Sequence, residues 1–146
     1  MNYFNLIKDI QAKLVTNSAG VKVWREQFVP PAPDRTTGYI AFDFTPVEFQ
    51  QCNIHFTGIV EGILDVTAYS LSDAIRSTLT TSILDLWMPV VSSKRTQIGP
   101  VSLTNCYLHW IYLQSQQELF QEKTGHPTPE TVGNFLSFNL KASITE

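Results

Sequence analysis

Hydrophobic and polar residues follow two different periods within residues 58–87. Val60, Leu64, Val66 and Ala68 share one side of an extended segment, at the two-residue period of a half-buried strand. From Leu71 the period lengthens to about four residues and predicts an amphipathic helix that Ser70 or Ser72 can cap. The predicted stripe is Leu71, Ile75, Leu79, Ile83 and Trp87, flanked by Ala74, Thr78, Ser82 and Leu86. Because no spacer separates strand and helix, the helix is expected to pack on the strand's own sheet.

The rest of the pattern predicts further elements on both sides of this unit. A first helix is predicted over residues 3–15, and Gly20 is placed for a left-handed conformation after it. Its apolar stripe is Phe4, Ile7, Ile10 and Leu14 with Leu6 beside them, and Lys8, Asp9, Gln11 and Lys13 are expected to face water. Strands are predicted over residues 21–29, 39–45, 102–114 and 131–143, a short helix over 117–123, a stiff loop over 30–38 and a connector over 89–100.

The order of these elements predicts the fold class α+β. Strands joined by short loops favour an antiparallel sheet, and the two main helices are expected on one of its faces. The prediction is one domain over residues 1–146, with a mostly antiparallel sheet of about five strands. A chain of 146 residues is long enough for one domain with a real core.

Composition leaves two interpretations open. Hydrophobic residues make up 43% of the chain and charged residues only 16%, and there are three Trp, nine Phe and five Tyr. Interfaces are rich in aromatic residues and poor in charge at their centres, so self-association is one reading, and a large core under a polar, uncharged surface is the other. The net charge of −3 provides no global positive field for nucleic acid.

The sequence contains no apolar run of the ~20 residues that a membrane-spanning helix needs. Lys8 and Asp9 interrupt the stretch where an export signal would be apolar, which predicts a protein that is intracellular or released by another route. Two cysteines fit a reducing compartment and do not make a disulfide scaffold.

Two Cys-x-x-His units are the best candidates for a metal site. Cys52 with His55 and Cys106 with His109 supply two thiols and two imidazoles, the ligands of a tetrahedral zinc site. However, residues three apart on a strand point to opposite faces, and neither unit contains the glycine typical of zinc turns. The favoured interpretation is a buried thiol and a hydrogen-bonded histidine, with no metal and no other cofactor.

No catalytic constellation is found. Glu61 and Asp65 share one face of the predicted third strand, where alternating polar residues on a solvated face explain them without acid–base chemistry. His126 lies in a Gly/Pro loop with no catalytic neighbour in the sequence. Trp24 and Phe28 share one predicted strand with apolar residues on both faces, and are therefore expected at a contact with the helices or with another subunit.

The element order and length resemble those of the tail terminator proteins of tailed bacteriophages. The segment from Phe4 to Val15 resembles their opening helix, and the strands of Val21–Phe28 and Tyr39–Phe44 resemble the strand pair that follows. Val60–Trp87 resembles their strand followed directly by a helix, and Ser102–Ser143 their closing strands. The loop from Pro30 to Gly38 and the segment from Gln116 to Thr131 are longer than a minimal terminator needs.

The resemblance implies a structural virion protein of the neck and not an enzyme. Such a protein forms a ring, usually of six copies, that caps the tail tube, stops its polymerisation and joins it to the head connector or completion protein. A contractile tail adds the sheath protein as a partner. DNA would pass through the lumen without specific binding, and we expect acidic residues on the inner wall because like charge prevents adhesion. The protein would be assembled in the host cytoplasm and would not contact a membrane.

Site residues follow from this interpretation. Trp24 and Phe28 are expected at a subunit seam, and the partner-contact loops are expected to use Arg35, Thr36, Lys94, Arg95 and His126, because binding is concentrated on connections between rigid elements. Two other classes stay open at this point. One is a small α+β ligand-binding domain or enzyme with its pocket between sheet and helices, and the other is an adaptor that dimerises through the face bearing Trp24.

Overall fold

Two helices and ten strands follow one another in the computed structural model, which describes residues 3–18, 20–51, 57–119, 122–123, 126–127 and 132–145. The elements are α1 (Phe4–Thr16), β1 (Lys22–Arg25), a 3₁₀ helix (Glu26–Phe28), β2 (Tyr39–Gln51), β3 (Thr57–Tyr69), α2 (Asp73–Trp87), β4 (Val90–Val91), β5 (Lys94–Arg95), β6 (Val101–Ser102), β7 (Cys106–Leu119), β8 (Glu122–Lys123), β9 (His126–Pro127) and β10 (Gly133–Thr145).

Six of the strands form one sheet in the order β1-β2-β3-β10-β7-β6. Strand β1 runs parallel to β2, and the other neighbours are antiparallel. The α+β prediction of a mostly antiparallel sheet is therefore confirmed, with the two-residue β6 as an additional edge strand. Strands β4 and β5 form a separate hairpin, and β8 pairs with β9.

Both helices pack on the same face of the sheet. Phe42, Leu64 and Phe138 from three adjacent strands meet Ile10 of α1 and Ile83 of α2 in one core, and all five are buried. The two-residue period predicted this face correctly, since Val60, Leu64, Val66 and Ala68 are all fully buried. The apolar side chains shared by sheet and helices are the main source of the fold's stability.

Helix α2 begins as predicted, but its buried stripe is rotated. The Ser72 side chain accepts a hydrogen bond from the Ile75 amide and caps the helix. Leu79, Ile83 and Trp87 are buried as expected, whereas Leu71 is exposed. The flank that joins the stripe is Arg76, Thr80 and Leu84 rather than Ala74, Thr78 and Ser82.

Polar contacts explain this rotation. Arg76 Nη1 donates to the Ser70 carbonyl at 2.6 Å, and Arg76 forms ion pairs with Asp73 and Glu118. Thr80 Oγ1 donates to the Arg76 carbonyl and accepts from Asn134 Nδ2 at 3.0 Å. Hydrophobic periodicity does not report such pairs, so Ala74 and Thr78 were wrongly placed on the flank, whereas Leu86 packs partly buried against the core as predicted.

Helix α1 has the predicted position with two exceptions on its surface. Phe4 is exposed, and Asp9, which was expected to face water, is buried. Asp9 accepts hydrogen bonds from the Asn105 backbone amide at 2.8 Å and from Asn105 Nδ2 at 2.9 Å. These two hydrogen bonds fix the turn before β7 to the first helix. Gly20 adopts a φ of 87°, as predicted for the residue that follows this helix.

Three predicted segments differ from the structure. The strand predicted over residues 21–29 is limited to β1, because the chain turns into the 3₁₀ helix at Glu26. The connector predicted over residues 89–100 contains the β4–β5 hairpin, with positive φ angles at Ser92 and Ser93. The helix predicted over residues 117–123 was wrong, because β7 extends to Leu119 and pairs there with Gly133.

Candidate assembly surfaces

The sheet face opposite the helices, which we call the open face, is formed by every second residue of the central strands. Its side chains are half-buried or exposed, apart from Tyr39, Ala41, Thr67 and Ser137. Tyr39 stacks on Tyr69 with ring centroids 4.9 Å apart. Burial and the nearby Glu26 carboxylate raise the pKa of Tyr69 to about 12, so this ring pair is uncharged at neutral pH. The open face is therefore the broad surface available to a neighbour.

Acidic side chains occupy the β2–β3 half of the open face. The register pairs Asp43 directly with Asp65, and Glu48 directly with Glu61. Like charges at directly opposed positions are destabilising in an isolated sheet. Two cations in the described part of the chain offset them: Arg25 lies 4.0 Å from Asp43, and Lys141 lies 3.6 Å from Glu61.

Aromatic side chains occupy the β7 half of the same face. Tyr107 contacts His109 edge-on at 4.9 Å, and Trp110 stacks on Tyr112 at 5.3 Å. Tyr107 and Tyr112 are 40% and 41% exposed. His109 Nε2 lies 2.6 Å from Ser143 Oγ. Exposed aromatic groups with few charges are typical of protein interfaces.

Long sections of both sheet edges have no neighbouring strand within the described ranges. Strand β1 pairs with β2 only as far as Phe42, and β6 pairs with β7 only as far as Leu108. The outer edge of β2 is irregular, because Pro46 lacks an amide donor and a register shift follows at Val47. Strand β7 also contains two register shifts against β10. Such edges are templates for pairing with another chain unless a neighbour covers them.

The predicted seam residues lie close in sequence but in different elements. Trp24 is a half-buried residue of β1, whereas Phe28 belongs to the 3₁₀ helix and is 62% exposed. They therefore lie in two different elements, although the sequence predicted that they would share one strand. Trp24 also lines a cavity of about 320 Å³ between β1 and the loop of residues 30–38. Both residues lie at the β1–β2 side of the sheet.

The structure brings two of the predicted contact loops to one end of the sheet. Tyr39 pairs with Tyr69, Tyr69 with Gly133 and Gly133 with Leu119, so the loop before β2 and the connection after β7 leave the sheet together. The first of these loops contains Arg35 and Thr36, and the second contains His126.

Asp34 orders the first of these loops. Its carboxylate accepts from the Thr36 and Thr37 amides and from the Thr37 hydroxyl, which lowers the pKa of Asp34. The Arg35 carbonyl accepts from the Leu71 amide at 2.9 Å and ties the loop to the start of α2. Thr36 is exposed and Arg35 is half-buried. His126 lies in β9, whose backbone alone is described.

Lys94 and Arg95 lie beyond the other end of α2, in the β4–β5 hairpin. Arg95 Nη1 donates to Asp85 Oδ1 at 2.8 Å and to the Met88 carbonyl at 3.0 Å, which fixes the hairpin to the helix. Lys94 is exposed. Val90 and Val91 beside it are 56% and 55% exposed. The connector predicted here is thus an anchored hairpin with an apolar surface.

Cys106 and His109, the two candidate metal ligands that the structure describes, lie in different environments. Cys106 is buried in the core, and burial, with the Asp9 carboxylate nearby, raises the pKa of its thiol to about 12. His109 lies on the open face beside Ser143. Cys52 and His55 lie outside the described residues. Within the described ranges no three His, Cys, Asp or Glu side chains are grouped to hold a metal ion.

The described side chains between the helices and the sheet form one buried apolar cluster. A cavity of about 470 Å³ lies at the end of the sheet, beside the turn at Asn105 and Tyr107. None of the helices in the described ranges is both long and apolar enough to cross a membrane.

Several surface residues were missed by the sequence interpretation. Val47, Phe49, Val90 and Val91 are exposed apolar side chains outside any predicted site. Their positions show no hydrophobic period, because consecutive residues are exposed in both places. Val47 and Phe49 lie near the end of β2, and Val90 and Val91 lie in the β4–β5 hairpin. Two adjacent valines after Pro89, in a segment expected to be a solvated connector, were the available clue.

Comparison with known proteins identifies a similar fold. No protein-family model and no curated protein matches the chain. A chain in the solved structure "Virion of native gene transfer agent (GTA) particle" matches with a TM-score of 0.56 and 12% sequence identity. The match covers 96% of this chain and 98% of that chain. At this identity the likeness shows the fold, over nearly the full length of both chains.

Proposed function

We propose that the chain is a structural component of a virion, and that it forms a ring in the neck. In this role it caps the tail tube, stops tube polymerisation and presents a docking surface to the head connector. The observation that carries the proposal is the likeness of the fold to a chain of the gene transfer agent virion. This likeness covers 96% of this chain.

The surface of the domain supports a role in assembly. A ring with closed rotational symmetry needs two different lateral surfaces on each copy, because each subunit contacts its neighbours head to tail. The β1–β2 side carries the proposed seam residues Trp24 and Phe28, and the opposite side is the β7–β6 edge. A hexamer is the subunit number that we propose.

Axial contacts are assigned to the ends of the sheet. The two connections that carry Arg35, Thr36 and His126 leave the sheet at one end, and would meet either the tube or the connector. The β4–β5 hairpin with Lys94 and Arg95 lies beyond the far end of α2. With the Asp43–Asp65 pair of β2 and β3 directed towards the lumen, DNA would pass without adhering, because its phosphates and these carboxylates repel each other.

Electron microscopy of the purified protein, alone and with tail tubes, tests this proposal. We expect annular particles whose central hole matches the tube, and tubes that no longer grow once the protein is bound. Trp24→Glu and Phe28→Glu should abolish the annulus while leaving the circular dichroism spectrum intact. Tubes that elongate normally in excess protein, with no particle at their ends, would contradict the proposed role.

A further inference from the structure

Two exposed surface patches have similar apolar composition and opposite charge. The first, which we call the edge patch, consists of Val47, Glu48 and Phe49 at the outer edge of β2, where Glu48 pairs with Glu61 of the open face and Phe49 with Val60 of the helix-covered face. The second, which we call the hairpin patch, consists of Val90, Val91 and Lys94 on β4 and β5. Each has two apolar residues and one charged residue, and all six side chains are exposed.

The edge patch is exposed for a structural reason. Strand β1 ends its pairing at Phe42, so β2 has no outer neighbour beside the patch within the described ranges. The register shift between Pro46 and Glu48 leaves Val47 out of the ladder and 69% exposed. Phe49 rests against the ring of Tyr3, with centroids 6.4 Å apart, which holds the patch rigid.

The charge of the edge patch is incompletely compensated. Glu48 is directly opposite Glu61, and Lys141 pairs with Glu61 at 3.6 Å rather than with Glu48. Glu48 forms no ion pair with any described residue. A cation supplied from outside the subunit would therefore relieve the repulsion between the two carboxylates.

The hairpin patch has the complementary charge and is equally rigid. Arg95 is engaged by Asp85 and the Met88 carbonyl, and the Thr96 amide donates to the Pro89 carbonyl at 3.0 Å. Lys94, the other cation of the hairpin, forms no ion pair with any described residue. It projects beside the two exposed valines and is available to an acidic apolar surface.

The two patches belong to different parts of the subunit. The edge patch lies on β2 of the large sheet, whereas the hairpin patch lies on a separate two-stranded sheet beyond the end of α2. Two different patches that bind each other produce a head-to-tail contact, which closes into a ring when the rotation between copies allows it.

We propose that the hairpin patch of one copy docks on the edge patch of the next, with Lys94 pairing with Glu48 across the contact. The occupant of each patch is thus a second copy of this chain. This inference rests on the proposed ring and names the two surfaces that join its subunits. It gives the β4–β5 hairpin a contact between subunits in place of an axial contact with the tube or the connector. It also extends the proposed seam, because Trp24 and Phe28 lie on the same side of the sheet as the edge patch.

Charge reversal with rescue by mixing tests the contact. The mass of the purified protein is measured by light scattering over a range of concentrations for the natural chain, Glu48→Lys, Lys94→Glu and the double variant. We expect the natural chain to reach several times its 16.5 kDa subunit mass. Each single reversal should weaken assembly by about tenfold or more, as close charge pairs at other interfaces do. The double variant should assemble again.

An equimolar mixture of the two single variants is the decisive sample. In a head-to-tail ring in which the two variants alternate, half of the interfaces join two natural patches and half join two reversed patches. Opposite charges therefore meet at every interface, so assembly should return. Lys13→Glu on the exposed side of α1 is the matched control and should assemble like the natural chain. The charge effect should also shrink as salt is raised, because screening weakens exposed pairs.

The outcomes separate this contact from the proposed function. A natural chain that stays monomeric at every concentration, single reversals that assemble normally, or a mixture that fails to recover would each overturn the contact. Any of these results leaves the neck role to be judged by the tube-capping assay. Conversely, charge-dependent rings that do not stop tube growth would support the contact and contradict the neck role.

Discussion

On the helix-covered face of the sheet Phe42, Leu64 and Phe138 have no exposed surface, whereas on the open face Tyr107 and Tyr112 keep two fifths of theirs. Both faces come from the same strands, so their backbone geometry is shared and only the side chains differ. The covered face is mostly apolar, and the open face divides into acidic and aromatic halves. The covered face therefore provides the stability of the subunit, and the open face and its edges are left for assembly.

The largest expected difference between the faces concerns aromatic truncation. Trp87→Ala removes a fully buried side chain from the core and should lower the free energy of unfolding by about 3–5 kcal/mol. Tyr112→Ala on the open face should lower it by less than about 1 kcal/mol. Urea unfolding followed by circular dichroism measures both. Equal losses would mean that the open face is also part of the subunit core.

A second test concerns the polar group that the covered side buries. Asp9→Ala leaves the Asn105 amide and side chain without their acceptor, and should lower the free energy of unfolding by about 1–3 kcal/mol. The control is Asp85→Ala, which breaks the exposed pair with Arg95 and should have an effect below about 1 kcal/mol. If Asp85→Ala lowers the free energy of unfolding more than Asp9→Ala does, the buried hydrogen bonds of Asp9 are not a main source of stability.

A third test concerns the acidic half of the open face. Asp65→Asn removes the repulsion with the directly opposed Asp43 and should raise the free energy of unfolding by a few tenths to about 1 kcal/mol at low salt. Glu61→Gln is the matched control, because it also removes the ion pair with Lys141 and should not stabilise. The gain from Asp65→Asn should fall as salt is added. A gain that persists in high salt would exclude repulsion as its cause.

The smallest effects are opposite pH trends at Glu26 and Asp34. Partial burial and the Asp43 carboxylate raise the pKa of Glu26, so its contribution to stability is complete below its unfolded pKa and is lost as pH rises through its folded pKa. Glu26→Gln should therefore raise the melting temperature at neutral pH and have no effect in acid.

Hydrogen bonds lower the pKa of Asp34, so its contribution is present above its unfolded pKa and is lost as pH falls through its folded pKa. Asp34→Asn should therefore lower the melting temperature slightly at neutral pH, and the difference should disappear in acid. Thermal melts of both variants and the natural chain between acid and neutral pH check the two signs. Parallel trends for the two variants would show that the local environments of these carboxylates are not as described.

The sequence predicted the elements whose apolar residues recur with a regular period. The apolar stripes within Val60–Ala68 and Leu79–Trp87 are buried as the pattern indicated, because a single core face requires that repetition. Asp9 was misplaced and the burial of Arg76 was missed, since both depend on partners, Asn105 and Ser70, that only the folded chain brings near. The helix expected at residues 117–123 failed because the last residues of β7 are exposed on both faces and show no two-residue alternation.

The candidate surfaces were less predictable than the fold. Trp24 and Phe28 were expected on one strand, but the turn into the 3₁₀ helix at Glu26 separates them. Lys94 was predicted as a contact residue. The exposed position of Val90 and Val91 beside it became evident only in the β4–β5 hairpin. Exposed apolar residues look like core residues in a sequence, and only the sheet register shows that nothing in the described chain covers them.

The bare outer edge of β7 has a consequence for the handling of the isolated protein. From Trp110 to Glu118 this edge contains one charge, no proline and several glutamines, a composition that favours the growth of stacked strands between chains. Its two register shifts twist the strand and oppose such growth. We therefore expect concentrated subunits without their neighbours to precipitate slowly through this edge, and Gln116→Lys to extend their shelf life without altering the melting temperature.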